Sequence, residues 1–273
     1  MYHAGMGLSG QAVPPPFIRL AAHEVRWRLL SELARSDLRV RELVTLIDQP
    51  QNLISYHLRL LRSGGLVRAR RSSFDGRDSY YHLDLERCAH ALAAAGGALH
   101  PALRLLPAEP ANAAETTATE TLAAPSVLFM CTGNSARSPI AEALLRHRIG
   151  GRAEVTSAGS HPKARLHPDA VRVLRQQYRI DIADQRPRHL GTMTGRRFDY
   201  VISLCDKVRE VCPDFDDHPQ RLHWSIPDPA ATSGDDTARD NYPAFDRTAA
   251  EIDTRIRYLQ PILFPTSRRE VQP

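Results

Sequence analysis

Cys131-Thr132-Gly133-Asn134-Ser135-Ala136-Arg137-Ser138 sets a thiol and a guanidinium on either side of five small or polar residues, a composition suited to wrapping a tetrahedral oxyanion. The flanks suggest how the loop is held. Ser126-Val127-Leu128-Phe129-Met130 reads as a buried strand, and Pro139-Ile140-Ala141-Glu142-Ala143-Leu144-Leu145 reads as a helix. At the start of a helix the backbone N–H groups are unpaired and the dipole favours negative charge, so a phosphate-like ion can sit there. The same field acts on the cysteine. A free thiol titrates near ~8.5, and a helix N-terminus with a neighbouring arginine can bring such a group to roughly 3.5–7.5, giving a thiolate nucleophile at neutral pH. Arg137 offers a planar fork of donors that matches two oxygens of the anion. No Gly-Lys-Ser/Thr ends the loop, which separates it from nucleotide-binding Walker loops. Thr132, Gly133, Asn134, Ser135, Ala136 and Arg137 are therefore the expected anion-binding residues. Taken alone, the loop suits hydrolysis and reduction equally.

Four cysteines in 273 residues, with no N-terminal apolar segment resembling a signal peptide, argue against a disulfide-stapled secreted fold and suggest a cytoplasmic protein with no membrane partner. Cys205 and Cys212 lie where a buried strand, Val201-Ile202-Ser203-Leu204, runs into a charged turn or helix. If that segment were helical, its rise of ~1.5 Å per residue would hold the two Cα atoms about 10 Å apart, and a disulfide tolerates about 4.4–6.8 Å. A bond between them requires the segment to unwind, as a redox-switched element would. Two isolated structural thiols fit the same spacing.

With Cys131 in front of them, the three thiols in this order resemble the thioredoxin-coupled arsenate reductases, which share the low-molecular-weight tyrosine phosphatase fold. The matching pieces are CTGNSARSPIAEALL at 131–145, TSAG at 156–159, HPDAVRVL at 167–174, the Cys205/Cys212 pair and HWSIPDPA at 223–230. The resemblance implies a flavodoxin-like α/β domain with a parallel sheet over residues 126–264. It implies that Cys131 attacks arsenate, that Arg137 and the loop amides hold its oxygens, and that Ser138 stabilises the thiolate. Asp228 would be the general acid that protonates the departing oxygen. Cys205 would then attack Cys131 and release arsenite, and Cys212 would attack Cys205. The resulting disulfide would be left for thioredoxin, an external reductant, with no bound cofactor; a mycothiol or glutaredoxin route stays open.

Departures from the pattern are informative. Phosphatases of this fold usually carry a second cysteine before the loop arginine and tyrosines after the Asp-Pro step, where this chain has Ala136 and Ala230-Ala231. Both differences point away from phosphotyrosine, although phosphatase activity is the alternative enzyme reading. Some reductases of this family bind potassium near the active site. Asn134, Glu142 and Ser157 match that pattern, but its remaining acidic ligand has no counterpart, so no metal is expected.

Residues 107–125, PAEPANAAETTATETLAAP, contain no aromatic and only leucine as a large apolar residue, too little to bury a core. A flexible linker over 106–125 would span roughly 25 Å root-mean-square. Charge separates at the same place. Residues 1–105 hold 14 Arg, no Lys and 9 Asp+Glu, whereas residues 106–273 hold 22 of each sign. The whole net charge of +5 therefore lies in the first part. There, Leu20 to Ala34 has helical periodicity, a short helix spans about Val40 to Ile47, and after Asp48-Gln49-Pro50 a third runs from Gln51 to Leu61. Ile54, Leu58 and Leu61 give that helix an apolar face and leave Gln51, Asn52, Ser55, Tyr56 and Arg59 toward the other. LVRARRSSFDGRDSYYHLDL follows as two strands joined at Asp75-Gly76, with Arg68, Arg70, Arg71 and Arg77 along them.

This helix-turn-helix with a basic wing resembles the ArsR-type winged-helix repressors over about residues 17–86, within a domain read as 17–105. The resemblance implies that Gln51, Asn52, Ser55 and Tyr56 read base edges of double-stranded DNA, that Arg59, Arg62, Arg68, Arg70, Arg71 and Arg77 hold phosphates, and that the protein is a homodimer. Metalloid-sensing members carry cysteines before the recognition helix. Arg39 and Arg41 stand at those positions, and Cys88 reads as a spare thiol rather than a metal ligand with His90 and His100. A transcription factor whose C-terminal domain only senses oxyanions or thiol state is the contrasting reading.

Overall fold

The structure, a computed structural model, describes residues 13–100, 103, 124–210, 219–231 and 241–265. It forms two compact units, one of Met1–Ala34, Val40–Ala69 and Tyr81–Ala108 and the other of Arg35–Arg39, Arg70–Tyr80 and Glu109–Pro273. The linker expected at 106–125 lies outside the described residues apart from its last two positions.

In chain order the N-terminal elements are α1 (Pro16–Ala21), α2 (Glu24–Arg35), β1 (Leu38–Arg39), α3 (Val40–Ile47), α4 (Gln51–Ser63), β2 (Val67–Arg71), β3 (Ser79–Leu83) and α5 (Leu85–Leu99). The continuous helix expected from Leu20 is thus two helices. The Val25 N–H donates to Nδ1 of His23 at 3.2 Å, so an imidazole starts α2 in place of the usual Ser, Thr, Asp or Asn. The short β1, which the sequence does not signal, extends the hairpin sheet in the order β1-β3-β2. Leu29, Leu33, Leu43, Ile47, Ile54, Leu58 and Leu61 are buried from α2, α3 and α4, the apolar stripes that the helical spacing predicts.

The second unit contains β4 (Ser126–Cys131), α6 (Arg137–Ile149), β5 (Glu154–Gly159), α7 (Pro168–Val173), β6 (Tyr200–Ser203), α8 (Asp206–Glu210), β7 (Gln220–His223) and α9 (Tyr242–Leu263). Its described strands form a parallel sheet in the order β5-β4-β6-β7. The chain passes from β4 to β5 on one side and later to β6 on the other. A crevice must therefore open at the carboxyl end of β4, where Cys131 stands. Helix α6 is buried along its first nine residues, and Gly150 ends it at φ 58°, a left-handed conformation that glycine adopts without a Cβ clash. Against α6 packs α9, whose Phe245, Ala249, Ile252, Ile256 and Leu259 recur at helical spacing and are buried.

Candidate functional site

The anion loop is shaped mainly from outside itself. The backbone N–H groups of Ser160, His161, Lys163 and His167 donate to the carbonyls of Cys131, Thr132, Gly133 and Ser135 at 3.3, 2.9, 2.9 and 2.8 Å. Four of the loop's carbonyls are thereby engaged by one following segment. Among the described residues, no backbone N–H of Thr132–Ala136 enters a backbone–backbone bond, and the N-terminus of α6 has no side-chain cap. Amides left in this state at an uncapped helix start, together with the helix dipole, are chemically suited to an anion. His167 ties the segment to the core: its ring stacks on Phe245 at 4.4 Å between centroids, and its Nδ1 accepts the Asp169 N–H at the start of α7.

The loop turns back on itself through Asn134, whose φ is 42°. It also lies close against Gly159, the last residue of β5. A Cβ there would stand 2.6 Å from the Thr132 carbonyl oxygen and 2.8 Å from the Asn134 nitrogen, both backbone atoms that cannot swing aside. Gly159→Ala should therefore displace the loop. The expected cost is roughly 1–3 kcal/mol of overpacking, together with a loss of activity larger than the stability change alone explains. Thermal melting and turnover measured on the same preparation check this.

Cys131 is 2 % exposed, and its Sγ lies 3.0 Å from the Ser138 Oγ. Asn134 Nδ2 donates to that Oγ at 2.9 Å and to the Ser157 Oγ at 2.8 Å. Since Ser138 Oγ already accepts from the amide, its own proton is free to point at the sulfur, the direction that stabilises a thiolate. Arg137, 5 % exposed, donates from Nη1 to the Ile226 carbonyl at 3.0 Å and from Nη2 to Asp228 at 3.1 Å. Its buried Nε has no hydrogen-bond partner among the described residues. The Asp228 side chain is 47 % exposed, so the acid is held at the loop yet reaches solvent.

Parallel register brings Cys205 to the loop that follows Cys131. Met130 pairs with Ser203, so the residues following β4 and β6 leave the sheet side by side. Cys205 is buried, and its Sγ lies 3.3 Å from Thr132 Oγ1, the residue after Cys131. Both thiols are free. Cys205 immediately precedes α8, whose first residue, Asp206, is buried. Burial raises that carboxyl, but hydrogen bonds from His223, from Ser73, and from Ser225 outweigh it and hold Asp206 well below the usual carboxylate range. Cys212 lies outside the described residues.

Behind the loop is a buried polar cluster that sequence reasoning caught only in part. Ser157 Oγ donates to Glu142 Oε2 at 2.6 Å, and the Arg188 backbone N–H donates to Asn134 Oδ1 at 2.7 Å. The Arg188 side chain donates from Nε to the Ser157 carbonyl at 3.0 Å and from Nη2 to Glu142 Oε2. Arg146 stands 2.9 Å from Glu142 Oε1. Asn134, Glu142 and Ser157, the three residues that match the family's potassium pattern, are thus bound to one another and to a guanidinium. They do not fit a potassium ion, because a fixed positive charge already sits on the carboxylate. No motif marked Arg188.

Residues 126–268 match the family model for low molecular weight phosphotyrosine protein phosphatase, just over half of the chain. The chain belongs to this family. Within it, the chain is similar to an arsenate reductase from Shouchella clausii, 35% identical over 131 residues, 48% of this chain and 91% of that protein. It is also similar to arsenate reductases from Brevibacillus brevis, at 34%, and Bacillus anthracis, at 33%, each over 132 residues, 48% of this chain and 91% of the relative. Residues 23–69 match the model for the bacterial regulatory protein arsR family, so this phosphatase-family member also carries an ArsR-family helix-turn-helix.

In that helix-turn-helix, α4 exposes Gln51, Asn52, Tyr56, Arg59 and Arg62 and half-buries Ser55, while Ile54, Leu58 and Leu61 face inward. Tyr56 is 53 % exposed. The wing arginines are less uniform. Arg68 is paired with Asp84 at 2.7 Å, and Arg71 donates to the Gly76 carbonyl across the hairpin turn. Arg77 is exposed. Arg70, within the second unit, pairs with Glu251 at 3.1 Å and donates to the Ser225 carbonyl. Burial, then the Asp84 charge, push the Cys88 thiol up to about 11, which keeps it an unreactive neutral thiol. Among the described residues no group of His, Cys, Asp and Glu could hold a metal ion. No helix among them is long and apolar enough to cross a membrane.

Proposed function

We propose that this chain is an arsenate reductase joined to a DNA-binding regulator, and that Cys131, Cys205 and Cys212 form its electron relay. The observation that supports the reading is the approach of the Cys205 Sγ to within 3.3 Å of Thr132 Oγ1, the residue after Cys131. In the first step the Cys131 thiolate attacks arsenic, and Asp228 gives a proton to the oxygen that leaves as water. Arg137 and the amides of residues 132–137 hold the remaining oxygens. The Cys205 thiolate then attacks the Cys131 sulfur. The S–As bond breaks with its electron pair going to arsenic, so As(V) becomes As(III), arsenite departs and a Cys131–Cys205 disulfide forms. Cys212 attacks Cys205, freeing Cys131, and a dithiol such as thioredoxin reduces the Cys205–Cys212 bond.

Purified protein with thioredoxin, thioredoxin reductase and NADPH should oxidise NADPH on addition of arsenate, and Cys131→Ser should fall to background. Turnover by Cys131→Ser at the normal rate would contradict the assignment. Hydrolysis of phosphate esters uses the same nucleophile, with the Arg137–Asp228 pair serving either reaction, and is the second reading. It does not need Cys205, so Cys205→Ser separates the two activities.

In the regulator half, Gln51, Asn52, Ser55 and Tyr56 would meet base edges, and Arg59, Arg62 and the exposed wing residue Arg77 would meet phosphates, while Arg68, Arg70 and Arg71 are engaged within the chain. A homodimer through this half would cover apolar side chains left in the open, Ile18 of α1 at 41 %, Leu92 and Leu99 of α5 at 48 and 79 %, and Leu103 at 49 %. Arg59→Ala should weaken binding to all sequences alike and lower the slope of log K against log salt by about one, whereas Asn52→Ala should cost about 1–3 kcal/mol at one base position. A salt titration on specific and scrambled duplexes distinguishes the two behaviours.

A further inference from the structure

We infer that Arg188 is a built-in cation that positions and charge-balances the Cys131 loop, so that this protein does without the monovalent cation its residues otherwise suggest. Glu142 is fully buried in α6, directly behind the loop, and its Oε2 accepts from the Ser157 hydroxyl and from Arg188. A carboxylate buried without compensation is costly, and here its charge would oppose both the thiolate and an incoming oxyanion. The Arg188 guanidinium offsets that charge from a segment more than 45 residues away; Arg146, 49 % exposed, stands 2.9 Å from the other oxygen but makes no hydrogen bond to it.

Arg188 also sets a direction. Its backbone N–H donates to Asn134 Oδ1, which fixes the amide so that Nδ2 faces Ser138 and Ser157. The order of donors is then Asn134 to Ser138 and Ser138 to Cys131. The side-chain bond to the Ser157 carbonyl, with the Gly159 N–H donating to the Arg188 carbonyl at 2.9 Å, holds that backbone N–H where it must be. Arg188 touches neither sulfur nor substrate by this account; it is a positioning residue that acts through Glu142 and Asn134.

The inference rests on Cys131 being the nucleophile but not on arsenate being the substrate, so its test reads the thiol directly. Iodoacetamide labelling of Cys131, followed by mass spectrometry of its peptide, should be about tenfold slower in Arg188→Ala than in wild type at pH 7, and the deficit should close as the pH rises. Arg188→Lys, which restores a charge, should recover most of the rate. Wild-type labelling should be the same in potassium and in choline chloride at equal ionic strength, whereas Arg188→Ala should be faster in potassium. If Arg188→Ala does not fold, as circular dichroism would show, the comparison of Arg188→Lys with Arg188→Gln takes its place with the same expected order. Equal labelling by charged and uncharged variants, a deficit independent of pH, or stimulation of the wild type by potassium would each overturn the inference. Failure of arsenate reduction with these labelling results intact would instead count against the proposed substrate alone.

Discussion

Replacing Arg137 with lysine should lower kcat/KM for arsenate by about 10²–10³, the scale of removing one preorganised donor from a buried oxyanion site. Three nitrogens of this guanidinium have distinct situations. Nη1 is held by the Ile226 carbonyl, Nη2 by Asp228, and Nε is buried with no hydrogen-bond partner among the described residues. The first two aim the fork, leaving Nε and the edge beside it for a ligand oxygen. A lysine ammonium keeps the charge, but as a single point it cannot hold Ile226, meet Asp228 and present a flat pair of donors at once. Steady-state kinetics on a variant with a wild-type melting curve would measure this. A loss under threefold would mean that charge alone, supplied by the helix terminus and any cation nearby, suffices to bind the anion.

Cys212→Ser should be limited to a single turnover, releasing about one equivalent of arsenite and then stopping with Cys131 joined to Cys205. The reason lies in the burial of the first two thiols, each 2 % exposed. A disulfide between them would be poorly placed for attack by an external dithiol, and a third thiol on the chain must carry the oxidation outward. Hydrolysis of a small aryl phosphate by the same variant should be unchanged, because water rather than a thiol resolves that intermediate. Undiminished multiple-turnover reduction would remove Cys212 from the relay.

The loop from Cys131 to Ser138 was legible from sequence because its parts are contiguous. Strand, turn and helix follow one another in the chain, and each announces itself by apolar runs or by small residues. Helix α4 was legible for the same reason, since a spacing of three and four residues alone places Ile54, Leu58 and Leu61 inward. What stayed hidden depends on approach between distant segments. Gly159 matters because β5 runs in register beside β4, and Arg188 matters because the stretch before residue 189 crosses behind the loop; neither position carries a local pattern. The break between α1 and α2 was missed because a histidine ring serves as the cap, and a two-residue strand such as β1 is too short to show alternation. Arg70 illustrates a different limit. Its basic character suggests a phosphate contact, but whether an arginine is free or paired is settled only by its neighbours, here Glu251.

In the proposed relay the oxidation passes from Cys131 through Cys205 to Cys212, and reducing equivalents travel the opposite way toward arsenic. The most direct measurement is to react the fully reduced protein with one equivalent of arsenate in the absence of any external thiol, quench with N-ethylmaleimide in denaturant so that buried thiols are also trapped, and map the peptides. The account predicts one equivalent of arsenite, a Cys205–Cys212 disulfide, and Cys131 and Cys88 recovered as alkylated thiols. Arsenite formation with Cys205 and Cys212 both alkylated would contradict it.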